Sequence, residues 1–174
     1  MAMPALSLTA RALRLLSGRE HSRLELERKL ARFEEQPGTL ALALDKLQAK
    51  GFINEARVLE SVLHQRAPRL GVLRIRQELQ EKGLDAQAVS AALEQLRGTE
   101  VERAVAVWQR KLRAPPRDAA ERARQMRFLA ARGFSGDTIR AVLRLAFGTN
   151  AEPRVVSAAD EADDVDQAGD PAFG

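Results

Sequence analysis

A short pattern that ends one helix and begins another occurs twice in this chain, 50 residues apart, and it limits the possible folds. Residues 78–85 read ELQEKGLD and residues 128–135 read FLAARGFS, so Gly83 aligns with Gly133. Glycine readily adopts the left-handed conformation that follows a helix, and the Asp or Ser two residues later is a good cap for the next helix. The pattern therefore predicts short helices joined by tight turns and repeated along the chain.

The same turn pattern, a glycine followed by an apolar residue and then by a capping residue, occurs a third time at residues 51–54, Gly-Phe-Ile-Asn. Ala and Leu supply 54 of the 174 residues, whereas Val, Ile, Phe, Trp, Tyr and Thr together supply only 26, so strand-forming residues are scarce. Both observations predict an all-α chain built from three modules of short helices. Together with Pro68 and Pro115, they place the modules at residues 6–66, 67–114 and 115–148.

The net charge of +4 combines two regions of opposite charge. Residues 149–174 contain seven acidic side chains and one arginine, a net charge of −6, which leaves +10 on residues 1–148. The acidic segment is rich in Ala, Asp and Gly and has no helical periodicity, so it is predicted to be a disordered tail. It either keeps the protein soluble or competes with an acidic partner for the basic part of the chain.

Several kinds of chemistry are excluded or disfavoured by composition. The chain has no cysteine, and its two histidines, His21 and His64, lie far apart in sequence, so we expect no metal site. No phosphate-binding glycine motif and no constellation of acid, base and nucleophile is present, so we expect neither a cofactor nor enzymatic activity. Trp108 is predicted to fill the core. No apolar run approaches the ~20 residues that span a bilayer, and we expect a cytoplasmic protein without membrane contact.

Basic residues are concentrated in two stretches and on the last predicted helix. Arginine outnumbers lysine 23 to 5, which favours bidentate contacts with phosphate or carboxylate groups. One interpretation is that these side chains face an anionic partner; the other is that they are solvated helix faces with intrahelical ion pairs. The candidates are Arg69, Arg74, Arg76 and Lys82; Arg110, Lys111, Arg113, Arg122, Arg124, Arg127 and Arg132; and Arg140 with Arg144.

Three segments, in order, resemble one protein family. Residues 71–84, GVLRIRQELQEKGL, resemble the middle of RecX proteins, and residues 127–140, RFLAARGFSGDTIR, resemble their C-terminal repeat. Residues 12–16, followed by REHSR at 19–23 and by Leu26, resemble their opening. The resemblance covers about residues 8–147 and leaves the acidic tail outside.

This resemblance implies three tandem three-helix repeats in an elongated, monomeric protein. It also implies a modulator, mainly an inhibitor, that binds the filament of the RecA recombinase on single-stranded DNA. Binding would depress ATP hydrolysis, filament extension and strand exchange, with weak direct DNA binding as an addition. The alternative that remains open is a helical DNA-binding protein that acts without a recombinase, which would bind naked DNA with a steep salt dependence.

Overall fold

The computed structural model describes residues 6–112 and 114–147, and these residues form an all-helical fold, as predicted. The predicted disordered tail, residues 149–174, and the candidate Arg113 lie outside the described residues. The helices are α1 Leu8–Leu16, α2 Arg23–Leu30, α3 Thr39–Ala49, α4 Glu55–Arg66, α5 Val72–Glu81, α6 Ala86–Arg97, α7 Glu100–Lys111, α8 Ala119–Ala130 and α9 Gly136–Phe147. A 3₁₀ turn at Ala31–Phe33 follows α2.

The repeated pattern forms the predicted turns. Gly83 and Gly133 have φ angles of +70° and +80°, in the left-handed region where a Cβ is disfavoured. Two residues later, the carboxylate of Asp85 accepts a hydrogen bond of 2.8 Å from the backbone N–H three positions ahead, and Ser135 Oγ accepts the corresponding bond at 3.2 Å. The chain therefore reverses twice by the same local mechanism, because the residues that need special backbone geometry and those that cap the next helix recur together.

Three separate hydrophobic cores hold the helices together in groups of three. The first core joins α1, α2 and α3 through Ala12, Leu26, Leu30, Leu40, Leu44 and Leu47, with Ile53 from the following turn. The second joins α4, α5 and α6 through Val62, Val72, Ile75, Leu79, Val89 and Leu93. The third joins α7, α8 and α9 through Ala104, Val107, Trp108, Leu129, Phe134, Ile139, Val142 and Leu143.

These cores group the helices differently from the predicted boundaries at residues 66/67 and 114/115. Val62 on α4 packs in the second core, and Trp108 on α7 packs in the third, so each boundary lies one helix earlier than expected. The reason is the position of the prolines: Pro68 and Pro115 separate the first and second helices within a module. We refer below to the first, second and third modules as α1–α3, α4–α6 and α7–α9.

Polar contacts join the first module to the second. The Lys82 ammonium lies 2.8 Å from Glu25 Oε1, with both side chains largely buried, and Arg28 donates to the carbonyl oxygen of Glu81 at 3.1 Å. Leu24 packs against the turn at Gly83, where an added Cβ would lie 2.7 Å from Leu24 Cδ2. This junction therefore depends on charged side chains and on one close glycine contact.

Glu25 carries much of the electrostatic stabilisation of this junction. Partial burial by itself raises its pKa, but hydrogen bonds from Arg19, Lys82 and the backbone N–H of Ser22 outweigh burial and hold the pKa at about 2, below the ordinary value of 4.5. Since the folded pKa is depressed, the stabilisation is present above about pH 4.5 and is lost as the pH falls toward 2.

We expect Glu25→Gln to lower the free energy of unfolding at pH 7 by about 2 kcal/mol, allowing for partial exposure of the pair. The difference between wild type and variant should shrink as the pH falls from 5 toward about 2, because the wild-type carboxylate is then protonated. Urea denaturation at several pH values measures it. A difference that stays constant with pH would contradict the assignment of the stabilisation to this carboxylate.

Backbone contacts join the second module to the third. Gly71, at the start of α5, donates its N–H to the carbonyl oxygen of Arg132 at 2.9 Å, and Leu73 donates to that of Gly133 at 3.1 Å. A Cβ at Gly71 would overlap the Gly133 carbonyl and the nitrogen of Phe134. Because both partners are glycines, the two backbones approach more closely than any side chain would allow.

A buried carboxylate completes this second junction. Glu100, the first residue of α7, is only 5% exposed. Its Oε1 accepts a 2.7 Å bond from the backbone N–H of Val72 at the start of α5, and its Oε2 accepts a 2.6 Å bond from Thr138 Oγ1 in the first turn of α9. Three helix N-termini therefore meet at one carboxyl group, in the arrangement that helix dipoles favour.

Candidate anion-binding cleft

The structure brings four of the candidate basic residues into one cleft at the second junction. Arg69, Arg110, Lys111 and Arg132 surround Val107 in a space of about 310 Å³, and no carboxylate lines it. Arg69 comes from the α4–α5 loop, Arg110 and Lys111 from the last turn of α7, and Arg132 from the turn after α8. We call these four residues and Val107 the basic cleft.

Arg110 and Lys111 are fixed by the anchoring of α7. Trp108 is 7% exposed, and its indole N–H donates a 2.9 Å hydrogen bond to Gln125 on α8. This confirms the prediction that Trp108 fills the core. Val107 is buried beside Trp108, so the next turn of the helix holds both cationic side chains at the surface, where the negative end of the helix dipole favours them.

Arg69 is positioned by a second arginine that was not among the candidates. The guanidinium of Arg103 donates to the carbonyl oxygens of Ala67 and Leu70, both at 2.8 Å, and to that of Leu96 at 3.1 Å. Burial lowers the pKa of Arg103, and the nearby charge of Glu100 opposes this. Arg103 therefore fixes the α4–α5 loop from inside the molecule.

Arg132 is held in place by the preceding helix, α8. Its guanidinium carbon lies 3.7 Å from the centre of the Phe128 ring, and one of its nitrogens donates to the Phe128 carbonyl oxygen at 3.2 Å. The cation–π contact orders the side chain and leaves its charge unneutralised. None of the four cations of the basic cleft lies within 4 Å of a carboxylate of the described residues.

Three other candidates already have an anionic partner. Lys82 is 13% exposed and pairs with Glu25, Arg124 pairs with Glu121 at 3.2 Å, and Arg140 pairs with Asp137. The last two pairs are three residues apart on exposed helix faces, where such pairs stabilise weakly and break easily.

The remaining candidates lie outside the lining of the basic cleft. Arg74, Arg127 and Arg144 are exposed, whereas Arg76 and Arg122 are half-buried. Arg74 donates to the side-chain oxygen of Gln77 at 3.1 Å. On α8, positions 122 and 124 are separated by about 200° around the helix axis, so one flat partner surface cannot contact both.

A second basic surface, in the first module, was not predicted from the sequence. It is a groove of about 690 Å³ whose cations are Arg11 and Arg14 on α1, Arg28 and Lys29 on α2, and Arg32 in the 3₁₀ turn. We call it the first-module groove. Acidic residues at positions 20, 25, 27 and 34 lie among these cations in the sequence, which leaves residues 11–34 with a net charge of only +3; none of these acids lines the groove.

None of the helices within residues 6–112 and 114–147 has the length and apolar character needed to cross a membrane. Within the same residues, no three His, Asp or Glu side chains are grouped as they would be to hold a metal ion.

Comparison with known proteins agrees with this architecture. Residues 54–93 match the family model described as RecX, second three-helix domain, and residues 99–143 match RecX, third three-helix domain. The two matched ranges begin next to α4 and α7, and these are also the first helices of the second and third hydrophobic cores. A solved structure of RecX from Lactobacillus salivarius has a TM-score of 0.67 and covers 80% of this chain and 94% of its own, at 23% identity, which shows a shared fold.

Curated relatives establish the family. The regulatory protein RecX of Leptothrix cholodnii is 56% identical over 143 residues, which are 82% of this chain and 91% of that protein. The regulatory protein RecX of Herbaspirillum seropedicae is 44% identical over 153 residues, 88% of this chain and 99% of the relative. At such identity over nearly the whole length of both relatives, this chain belongs to the RecX family of regulatory proteins.

Proposed function

We propose that this protein regulates the RecA recombinase by binding the RecA–single-stranded DNA filament through the basic cleft. Binding would depress ATP hydrolysis, filament extension and strand exchange, without catalysis by this chain and within the cytoplasm. The observation that supports the proposal is that cations from three separate segments converge with no carboxylate beside them. Such an arrangement is stable only if solvent or an anionic partner offsets the repulsion between the cations.

The shape of the basic cleft fits a composite anionic surface. Arginine forks bind planar carboxylate or phosphate groups in a bidentate manner, and a cleft of about 310 Å³ accommodates only a few such groups. A filament presents acidic protein side chains and DNA phosphates close together. We therefore expect stronger engagement of the RecA–DNA complex than of either component alone.

The direct test is a titration of the DNA-dependent ATPase of RecA with this protein at near-physiological salt. We expect inhibition that is complete near stoichiometric amounts. If ATP hydrolysis is unchanged at a large excess of the protein, the proposed function is wrong.

The double variant Arg110→Glu with Lys111→Glu tests the role of the basic cleft. Losing two charge-assisted contacts should weaken inhibition roughly tenfold to a hundredfold. The matched control is Lys46→Glu with Lys50→Glu, an equally exposed pair at the C-terminal end of α3 that undergoes the same change of charge at the same end of a helix. Equal loss in both variants would mean that only net charge matters, and circular dichroism checks that both remain folded.

The alternative function is direct DNA binding without a recombinase. The lining of the basic cleft suits a phosphate as well as a carboxylate, and this favours direct DNA binding as the second candidate function. Against it, Trp108 is buried and offers no surface on which a base stacks. Tight binding to naked single-stranded DNA, with a logarithmic salt slope that falls by about 1 for each cation removed, would favour the alternative.

A further inference from the structure

The first-module groove is a second cationic surface, separate from the basic cleft and without a role in the proposed function. Five cationic side chains line it, and none lies within 4 Å of a carboxylate of the described residues. Two of them donate to backbone carbonyl oxygens instead: Arg11 to Leu6 at 3.0 Å and Arg28 to Glu81 at 3.1 Å. Carbonyl contacts orient a guanidinium but leave its full charge, so the groove is ordered and open to an anion.

The floor of the groove favours an aliphatic polypeptide over a nucleobase. Phe33 is the aromatic residue of the lining, and the guanidinium carbons of Arg11 and Arg32 lie 4.0 Å and 4.7 Å from its ring centre. These contacts occupy the ring, which is then less able to stack on a base. The other apolar lining is aliphatic, and Leu6 at its edge is 50% exposed. A ligand that carries carboxylates together with small aliphatic side chains matches both properties.

We propose that the first-module groove binds the acidic C-terminal segment of the same chain, residues 149–174. The segment has a net charge of −6, against five cations in the groove. Its apolar residues are mainly alanine and valine, and Val165 lies directly between two aspartates in the sequence DDVD. The segment therefore offers the combination of carboxylates and small aliphatic groups that the groove accepts.

The length of the segment is sufficient for it to reach the groove. The last helix ends at Phe147, and 27 residues follow. A flexible chain of that length has a root-mean-square extension of about 30 Å. Fully extended, 27 residues span at most roughly 90 Å, several times the radius of gyration of about 15 Å that a compact body of about 140 residues has, so the groove lies within reach. Because the segment is tethered to the same chain, its effective concentration at the groove is about 1 mM. At that concentration even a weak electrostatic contact forms in a sizeable fraction of molecules.

Paramagnetic relaxation in the full-length chain tests this contact without any recombinase. The protein has no cysteine, so Ala162→Cys, between Glu161 and Asp163, carries a spin label at one position only. At about 0.1 M salt we expect amide signals of Arg14, Leu30 and neighbouring groove residues to lose intensity. The loss should disappear at about 1 M salt, where the screening length falls from roughly 10 Å to roughly 3 Å.

Paired variants and a mixing control separate the possible occupants. Arg14→Glu with Arg32→Glu should abolish the intensity loss, whereas Arg110→Glu with Lys111→Glu in the basic cleft should leave it unchanged. The proposal is wrong if the loss is absent, if it is confined to the basic cleft, or if it arises only between differently labelled molecules and so comes from a second copy. It is also wrong if a single-stranded oligonucleotide perturbs the groove amides while the spin label does not.

Discussion

Gly71→Ala is expected to destabilise this protein by about 4 kcal/mol, because it forces the second and third modules apart. The added Cβ would overlap the carbonyl group of Gly133 and the nitrogen of Phe134, and these are backbone atoms that cannot rotate away. Separating the two segments also breaks the hydrogen bonds from Gly71 to Arg132 and from Leu73 to Gly133. With a total stability of roughly 5–15 kcal/mol for a protein of this kind, the loss is a large fraction.

Urea denaturation measures this effect, and Gly98→Ala is the matched control. Gly98 has a helical φ of −55°, and a Cβ there would meet its nearest atom at an ordinary 3.6 Å. The control should therefore be neutral or stabilising by about 0.5 kcal/mol, since alanine restricts the unfolded chain. If both alanine variants unfold at the same urea concentration, the close approach of Gly71 to Gly133 does not contribute to stability.

Glu100→Ala is expected to cost a comparable amount, about 4 kcal/mol, through the loss of buried hydrogen bonds. The substitution leaves the N–H of Val72 and the hydroxyl of Thr138 without their acceptor in the interior of the second junction. It also opens a cavity where the side chain was buried. Glu100→Gln should cost less. The amide oxygen can still accept one of the two hydrogen bonds, whereas the amide nitrogen is itself a donor and cannot accept the other.

The control for Glu100 is on the same helix. Glu102 is exposed in the first turn of α7, so Glu102→Ala should change the free energy of unfolding by less than about 1 kcal/mol. Combining Glu100→Ala with Thr138→Val should cost less than the two single substitutions added together, because the removed groups contact each other. Strict additivity would show that this hydrogen bond does not link α7 to α9.

The helices and turns of this fold were predictable because they depend on neighbouring residues. Gly83 ends α5 and Asp85 caps α6 through contacts that span only a few positions, and the same is true of Gly133 and Ser135. Module boundaries were not predictable in this way. Pro68 interrupts a helical pattern whether the break lies within a module or between modules, and only the packing of Val62 distinguishes the two.

The basic cleft depends on contacts between residues that are distant in sequence, so sequence alone does not show which candidates lie together. Arg69 and Arg132 are 63 residues apart in the chain, and the hydrogen bond from Gly71 to the Arg132 carbonyl places their loops side by side. Arginine density along the sequence selected Arg124, and position on the last helix selected Arg140, yet each of these pairs with an acid on its own helix. Counting charges along the sequence cannot separate paired arginines from those of the basic cleft.

The first-module groove was overlooked for the same physical reason. Its cations lie at positions 11, 14, 28, 29 and 32, and the acids at positions 20, 25, 27 and 34 reduce the net charge of residues 11–34 to +3. Those acids are engaged elsewhere: Glu25 pairs with Lys82, and Glu20 pairs with Arg57 at 2.8 Å. Ion pairing removes the acids from the groove, so a stretch of modest net charge forms a surface whose charged side chains are all cationic, and only the side-chain partners reveal it.

The two junctions differ in what holds them, and this difference divides the chain into two cooperative units. A largely buried ion pair, Lys82–Glu25, and a half-exposed one, Arg57–Glu20, hold the first module, and its junction weakens as the pH falls toward 2. Buried hydrogen bonds hold the third module to the second, some between backbone groups and some to the carboxylate of Glu100. We therefore expect the first module to open at a lower free energy than the second and third modules, which should open together. The groove and the cleft thus lie on opposite sides of the weaker joint, so the distance and angle between two charged surfaces become adjustable by solution conditions without unfolding either one.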